Sequence, residues 1–591
     1  MDAISAVNSA PVRQRAAYHR AALATMRPDL STWHYALLVL LPLLLLAVNH
    51  SWLASSLFLD PYIYLGYYLD LPGHFQALPD NYITTRLPVL LPGWLAHACL
   101  PVLAANAVLH LGLYYVCVFC LYRIVTGVAG RRAGLLACIL LGANSFFQSA
   151  VGTDYTDGYA IAFILTGLDF LQSAARAARP GLRLIGAGAA LAALVYSNVF
   201  FSLFACLAGL LFMDANRRGR RHSLAAVSVW LVLGFALLTG VFMLVNFGLC
   251  GRLWFFLPNA AASIDLARHH TAFRHQGWSW LLEASWLAGP VSAALGGGLC
   301  FWMRRGAGPS SGAWTLLWLA FAIGLLLVLE RGHVGVIRFW YYATPLLPFV
   351  LLFIGQQIGD ACAALSGKGF AGVLGVALAA ALFIQAAPGQ QTAWTIGQWG
   401  AFAGPVASGS VAFICLRLCR PGAALLGFVL LWSGSTCWAK AAFRYESPWP
   451  EVPAEIYDRI REHDPQRLDV LRAVTDTVRT VQQVEKLTRV RFWYQYDEPL
   501  GLVFREIACT NFFNRVNEHF PATTGIDLSS QGNRERPLLV AVLSQQGDVL
   551  QQVQAALAPI ALSAVPRVER RIHHRRIAFT LIVLEVKPLR E

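Results

Sequence analysis

Read from its N-terminus, the chain alternates between apolar runs of about twenty residues and short polar joints, from residue 35 to residue 440. Runs this long and unbroken fit helices, since outer-membrane barrel strands alternate over only about ten residues. The pattern predicts a polytopic α-helical membrane protein. Thirteen candidate spans lie near 35–54, 103–124, 133–150, 157–174, 184–197, 199–213, 224–248, 285–303, 313–329, 341–358, 370–387, 400–416 and 422–440. The fifth and sixth are short for a hydrocarbon core of about 30 Å. They read as a hairpin turning at "YSNVF", which brings Asn198 towards a polar cavity.

Beyond residue 442 the pattern changes. "RVRFWYQ", "PLLVAVLSQ" and "RRIAFTLIVLEVK" are rich in β-branched and aromatic residues and predict strands. "PAEIYDRIREHDPQRLDVLRAVTDTVRTVQQVEKL" and "GDVLQQVQAALAPIAL" predict amphipathic helices. The expected organisation is therefore a polar N-terminal tail (1–34), a membrane domain (35–442) and a C-terminal α/β domain (443–591).

The cations orient this scheme. Arg13, Arg15, Arg20 and Arg27 precede the first span, and Arg123, Arg131 and Arg132 join the second to the third. Arg176, Arg179 and Arg183 follow the fourth, and Arg217, Arg218, Arg220 and Arg221 the sixth. Arg304, Arg305, Lys368, Arg417 and Arg420 complete the series. With thirteen spans all of these fall on one side, which the positive-inside rule makes cytoplasmic. The N-terminus is then cytoplasmic. The longer aromatic loops, 55–102 and 249–284 among them, and the C-terminal domain lie on the outer face, which in a bacterium is the periplasm.

Composition agrees: 57% of the 591 residues are hydrophobic and 13% charged. The net charge of +14 does not point to nucleic acid, because the excess sits in short membrane loops and the C-terminal region is nearly balanced. The twelve cysteines, mostly dispersed in apolar runs, offer no disulfide framework or zinc-ribbon spacing.

Ionisable groups gather at the outer ends of the spans. A proton pump would place them near the bilayer midplane, so the distribution favours chemistry at the outer membrane surface on a partly lipidic substrate. In "LDPYIYLGYYLDLP", Asp60 stands with Tyr62 and Tyr64; Asp-Pro is equally a good helix start. In "GTDYTDGYAIAF", Asp154 and Asp157 either cap the fourth span or, as paired acids, orient a hydroxyl, serve as a base or hold a divalent cation. Arg86, four residues after Tyr82, and Arg338 each precede a proline-interrupted apolar run. They read as snorkelling interfacial cations or as clamps on a phosphate, whose oxygens match a guanidinium. His333 lies just ahead of Arg338. His269 and His275 are weak metal candidates whose spacing also suits a solvated loop.

"LDPYIYLGYYLDLP…YITTRLPVLLPGWL" resembles the first outer loop of the GT-C superfamily of lipid-phosphate-sugar-dependent glycosyltransferases. The similarity is to the bacterial protein O-mannosyltransferase-like and aminoarabinose (lipid A) transferase-like groups. Asp60, Tyr82, Arg86 and Pro88 match the family's acidic, tyrosine, basic and proline positions. Asp157, with Asp154 as rival, fits its second acidic position, and Arg338 with Pro345 and Pro348 its late basic one. Asp-Pro stands where several subfamilies have Asp-Glu, and Arg where the aminoarabinose enzymes have lysine.

The resemblance implies a bacterial inner-membrane enzyme that moves a sugar from a polyprenyl-phosphate donor to an envelope glycan, lipid or protein. It implies Asp60 as general base and Arg86, Arg338 and His333 on the donor phosphate, with inversion at the anomeric carbon. Tyr62, Tyr64, Tyr82 and Asn198 are expected to line the substrate cavity. A transporter or flippase of lipid-linked sugars would share the lipid groove and cations but need no base.

Overall fold

A computed structural model describes residues 32–49, 64, 67, 68, 71, 72, 75, 82–100, 102–219, 223–257, 260, 261, 279–282, 284–303, 311–331, 337–387, 398–443, 490–495, 538–544, 550, 551, 554, 562–574 and 577–588. The part up to residue 443 is helical. Its main helices are α1 (Thr32–Val48), α2 (Leu87–Cys99), α3 (Val102–Ala129), α4 (Arg131–Ala143), α5 (Ser145–Val151), α6 (Thr156–Arg176), α7 (Gly181–Ser197) and α8 (Ser202–Gly219). They continue with α9 (Leu224–Cys250), α10 (Ala288–Trp302), α11 (Ser311–Arg331), α12 (Trp340–Ala343), α13 (Leu347–Ala364), α14 (Gly367–Ala386), α15 (Gln398–Leu418) and α16 (Pro421–Ala442).

Among the described residues, seven helices are long and apolar enough to cross a membrane, or eight if α4 and α5 form one span. The runs predicted at 35–54, 184–197 and 199–213 fall on shorter apolar helices. The run at 285–303 falls on α10, whose 15 residues reach about 22 Å at 1.5 Å per residue. Within the stretch expected as the outer loop 55–102, residues 87–99 form the short apolar helix α2, with Pro88 near its start and Pro92 inside it. α6 and the Trp340–Ala364 span are the most enclosed, whereas α9 is only lightly covered by protein.

The predicted continuous span 133–150 is broken, with α4 and α5 bent by 73° at Asn144. Backbone groups freed at such a break must find partners inside the protein. Asn144 Oδ1 accepts from the Phe147 N–H at 3.0 Å, and Gln148 Nε2 donates to the Gly142 carbonyl at 2.6 Å. A break between α7 and α8 falls at Asn198, where the turn of the hairpin is predicted. Asn198 Oδ1 accepts from the Phe200 N–H at 3.1 Å, starting a short 3-10 turn before α8.

Close helix approach uses small residues, as expected where no hydrophobic force separates helix from lipid. A Cβ on Gly188 of α7 would stand 2.1 Å from the Leu231 carbonyl oxygen of α9. The cysteines among the described residues are free, including Cys117 and Cys120, which stand a C-x-x-C apart on α3.

The C-terminal region contains a four-stranded sheet in the order β1-β2-β4-β3. The strands are β1 (Val490–Gln495), β2 (Leu538–Ser544), β3 (Leu562–His574) and β4 (Ile577–Pro588). β1 pairs parallel with β2; the other pairs are antiparallel. β1, β2 and β4 are the three predicted strands. β3 was missed because "LSAVPRVERRIHH" is charged and carries a proline. As the sheet's outer strand it accommodates Pro566 at a register shift between Pro566 and Val568, the place where sheets tolerate proline. The predicted helix between β2 and β3 is described only at residues 550, 551 and 554, which are helical.

Candidate functional site

Arg86 ends a 3-10 turn (Tyr82–Thr85) and forms the N-cap of α2, with Pro88 in the first helical turn. Proline suits that position because its missing N–H would have no helical partner. The chain direction thus turns the guanidinium inward: Arg86 is 5% exposed. Its Nη1 donates to the Tyr64 hydroxyl. Three rings surround the charge, with centroids 5.6 Å (Tyr64), 5.0 Å (Tyr82) and 5.7 Å (Tyr155) from Cζ.

Among the described residues no carboxylate lies within ion-pair distance of Arg86. A buried ion costs several kcal/mol even after relaxation. Each cation–π contact offsets about 0.5–2 kcal/mol. The positive end of α2 adds to the cost instead of relieving it. Among the described residues the cage holds the cation without neutralising it.

Asp154 and Asp157 lie on either side of the start of α6. The capping reading fails for both, since Tyr155 is the N-cap residue and no side chain caps the helix. Asp154, 2% exposed, meets His110 Nε2 of α3 at 2.9 Å through Oδ1. Asp157 is fully buried in the first turn, and neither carboxylate oxygen has a hydrogen-bond partner. The backbone N–H groups of Asp157 and Gly158 lie beside it but fall short of hydrogen-bond geometry. Gly158 allows the helix mouth to press against α5, for a Cβ there would stand 2.4 Å from the Ala150 carbonyl oxygen. Thr156 Oγ1 and Asn198 Nδ2 are also buried without a partner. Buried polar groups are normally satisfied, so these acceptors and donors mark a place built for something else.

Tyr155 joins the parts. Its ring stands edge-on to Tyr64 and to Tyr341, both at 5.4 Å, and its hydroxyl lies 3.3 Å from that of Tyr342. Tyr341 stacks on Phe339 at 5.6 Å, next to Arg338, which is partly buried. Tyr342 also meets Phe200 and Phe201, just after Asn198. On the other flank Tyr159 lies against Tyr68 and near Asp154, and Tyr68 stacks on His97 at 5.7 Å.

The structure therefore brings Arg86, Tyr64 and Tyr82 together, and links them through Tyr155 to Asp154 and to the segment after Arg338. Asn198 and Asp157 belong to the same end of the bundle, on elements that touch this network. Asp60, Tyr62, His269, His275 and His333 lie outside the described residues. Sequence reasoning missed His110 and Tyr155. His110 was detectable, as a lone imidazole inside "ANAVLHLGLYYV", because ionisable groups within spans are expensive and commonly functional. No group of three or more His, Cys, Asp or Glu side chains among the described residues is arranged to hold a metal ion.

No family model matches the sequence, and no curated protein does. The fold is similar to the solved structure of ArnT from Cupriavidus metallidurans bound to undecaprenyl phosphate. That match has 12% identity and a TM-score of 0.44, covering 93% of this chain and 98% of that one. The apo state of the same ArnT is similar at 14% identity and a TM-score of 0.35, covering 92% and 97%.

Proposed function

We propose that this protein is a membrane glycosyltransferase that moves a sugar from a polyprenyl-phosphate-linked donor to an acceptor hydroxyl by inverting displacement. The observation that supports the reading best is the buried Arg86, caged by aromatic rings and without a carboxylate partner among the described residues. A phosphate supplies the missing anion. The N-terminal end of α2 favours the same charge.

In the proposed step the acceptor oxygen attacks the anomeric carbon, and the bond from that carbon to the donor's phosphate oxygen breaks. The polyprenyl phosphate leaves with the electron pair, and its growing charge is met by Arg86, with Arg338 and His333 as further proposed contacts. Stabilisation of developing charge is strongest where water is excluded, which the burial of Arg86 provides. The acceptor's proton passes to Asp60, whose role comes from the family resemblance. Asp157, ionisable and without a hydrogen-bond partner, positions the acceptor or the donor sugar. Tyr64 and Tyr82, beside Arg86, line the proposed sugar cavity, and the family resemblance adds Tyr62. The face is the predicted outer one, and the acceptor is an envelope glycan, lipid or protein.

The test combines mass spectrometry of envelope glycolipids, polysaccharides and glycoproteins, with and without the gene, with donor turnover by the purified protein in liposomes. Loss of one glycosylated species, and release of polyprenyl phosphate that Asp60→Asn abolishes, support the reading. Movement of donor across the bilayer with no new glycosidic bond would replace it with transport.

A further inference from the structure

The proposed reaction uses Arg86 and Asp157 but leaves the buried pair of His110 and Asp154 without a task. Both side chains are 2% exposed, and they join α3 to the short link between α5 and α6. That link, Gly152–Tyr155, is neither helix nor strand. Among its local ties are the Tyr155 N–H to the Thr153 carbonyl at 2.7 Å and Thr153 Oγ1 to the Ser149 carbonyl at 2.5 Å. Both are internal to the α5–link segment. The His110–Asp154 contact instead spans 44 residues, and fixes the link against a different helix.

The residue after Asp154 is Tyr155, whose ring forms one wall of the Arg86 cage and leans on Tyr64 and Tyr341. Tyr155 takes an extended backbone, φ −144° and ψ 176°. The Tyr155 N–H to Thr153 carbonyl bond closes a three-residue turn with Asp154 at its centre. Anchoring Asp154 to α3 thus fixes the turn from which Tyr155 leaves. Removing the imidazole would also take a hydrogen-bond partner from a buried carboxylate, a loss that favours rearrangement of the link.

We infer that His110 is a positioning residue. By holding Asp154 it fixes the α5–α6 link so that Tyr155 closes the cage in which Arg86 meets the anionic lipid. This rests on the reading of Arg86 as the phosphate site. A residue that touches no substrate acts through geometry, and a displacement of about 1 Å at a reacting site costs on the order of 100-fold in rate.

The test uses the full chain in lipid nanodiscs with undecaprenyl phosphate as the probe, comparing wild type, Arg86→Gln, His110→Phe and His110→Gln. Phenylalanine keeps the ring volume but loses the donor, whereas glutamine keeps a donor to Asp154. Wild type is expected to bind the lipid in an Arg86-dependent way. His110→Phe is expected to weaken binding about ten-fold, a displacement smaller than that of the full geometric limit. His110→Gln is expected to recover most of the loss. With donor sugar, the change should appear mainly in KM.

Should His110→Phe fail to fold, Asp154→Asn takes its place, with a weaker hydrogen bond and a smaller loss of affinity in the same direction. Wild-type affinity in the folded His110→Phe protein, or in Asp154→Asn where that stands in for it, overturns the inference while leaving the phosphate site intact. Equal losses for phenylalanine and glutamine overturn it as well. Binding that Arg86→Gln leaves unchanged removes the phosphate reading itself.

Discussion

The two ends of the helical bundle use arginine in opposite ways. At the end predicted to be cytoplasmic, guanidinium groups find partners. Arg123 pairs with Asp169 at 3.2 Å, and Arg132 donates to the Cys362 and Leu365 carbonyls at the C-terminal end of α13. Arg183 donates to the Ser173 carbonyl at 2.8 Å, and Arg417 to Gln357 at 2.5 Å. The Arg132 and Arg183 contacts satisfy carbonyls at helix ends, where a cation also complements the macrodipole.

At the other end Arg86 lies at the N-terminal end of a helix, where the same dipole opposes it, and it is ringed by π faces. Asp157 is buried there without a hydrogen-bond partner. The residue types are shared between the ends, but the partners of the guanidinium differ: oxygen acceptors at one, although Arg417 Nε is buried without a partner, and mainly aromatic rings at the other. The Arg86 end also buries both Asp157 carboxylate oxygens, Thr156 Oγ1 and Asn198 Nδ2 without hydrogen-bond partners. Such local cost is characteristic of functional sites.

Four substitutions break or sharpen this contrast. Arg86→Gln is expected to reduce sugar transfer about 100- to 1000-fold, the scale of losing a donor to a developing oxyanion. Its thermal unfolding midpoint in detergent should hold or rise, because a buried cation with no carboxylate partner among the described residues is gone. Asp157→Asn should lower transfer about 100-fold, again with the unfolding midpoint unchanged or higher.

At the other end Arg132→Ala is expected to leave turnover intact and to cost about 1–2 kcal/mol of stability, through lost charge-assisted bonds at the end of α13. Arg123→Ala should cost under about 1 kcal/mol, since Arg123 is 59% exposed, and the loss should shrink further in high salt. Activity loss without destabilisation at one end, and the reverse at the other, is the signature to look for. Equal stability losses at both ends would dissolve the contrast.

Much of this was legible in the sequence, for physical reasons. Apolar runs and cation placement report helices directly, because lipid tolerates little else. Arg86, Asp154 and Asp157 stood out since charged groups are scarce in the membrane half. The role of the two acids was not legible. Capping and chemistry use the same residues at the same spacing, and only the geometry at Tyr155 separates them.

The break at Asn144 was hidden inside an otherwise apolar stretch, as its partners Phe147 and Gln148 look like ordinary span residues. His110 was overlooked because a single histidine carries no periodic signal; its meaning depends on Asp154, 44 residues away. β3 escaped because an outer strand follows weaker rules than a buried one. Tyr155 was invisible for a similar reason: aromatic residues at a membrane interface are common, and only contact with Arg86 distinguishes this one.

The most direct test of the central claim compares retention of undecaprenyl phosphate with that of undecaprenol, its phosphate-free counterpart, by native mass spectrometry on wild type and Arg86→Gln. The account predicts that wild type retains the phosphate form selectively and that Arg86→Gln loses this selectivity while remaining folded. Undiminished phosphate selectivity in folded Arg86→Gln would contradict it.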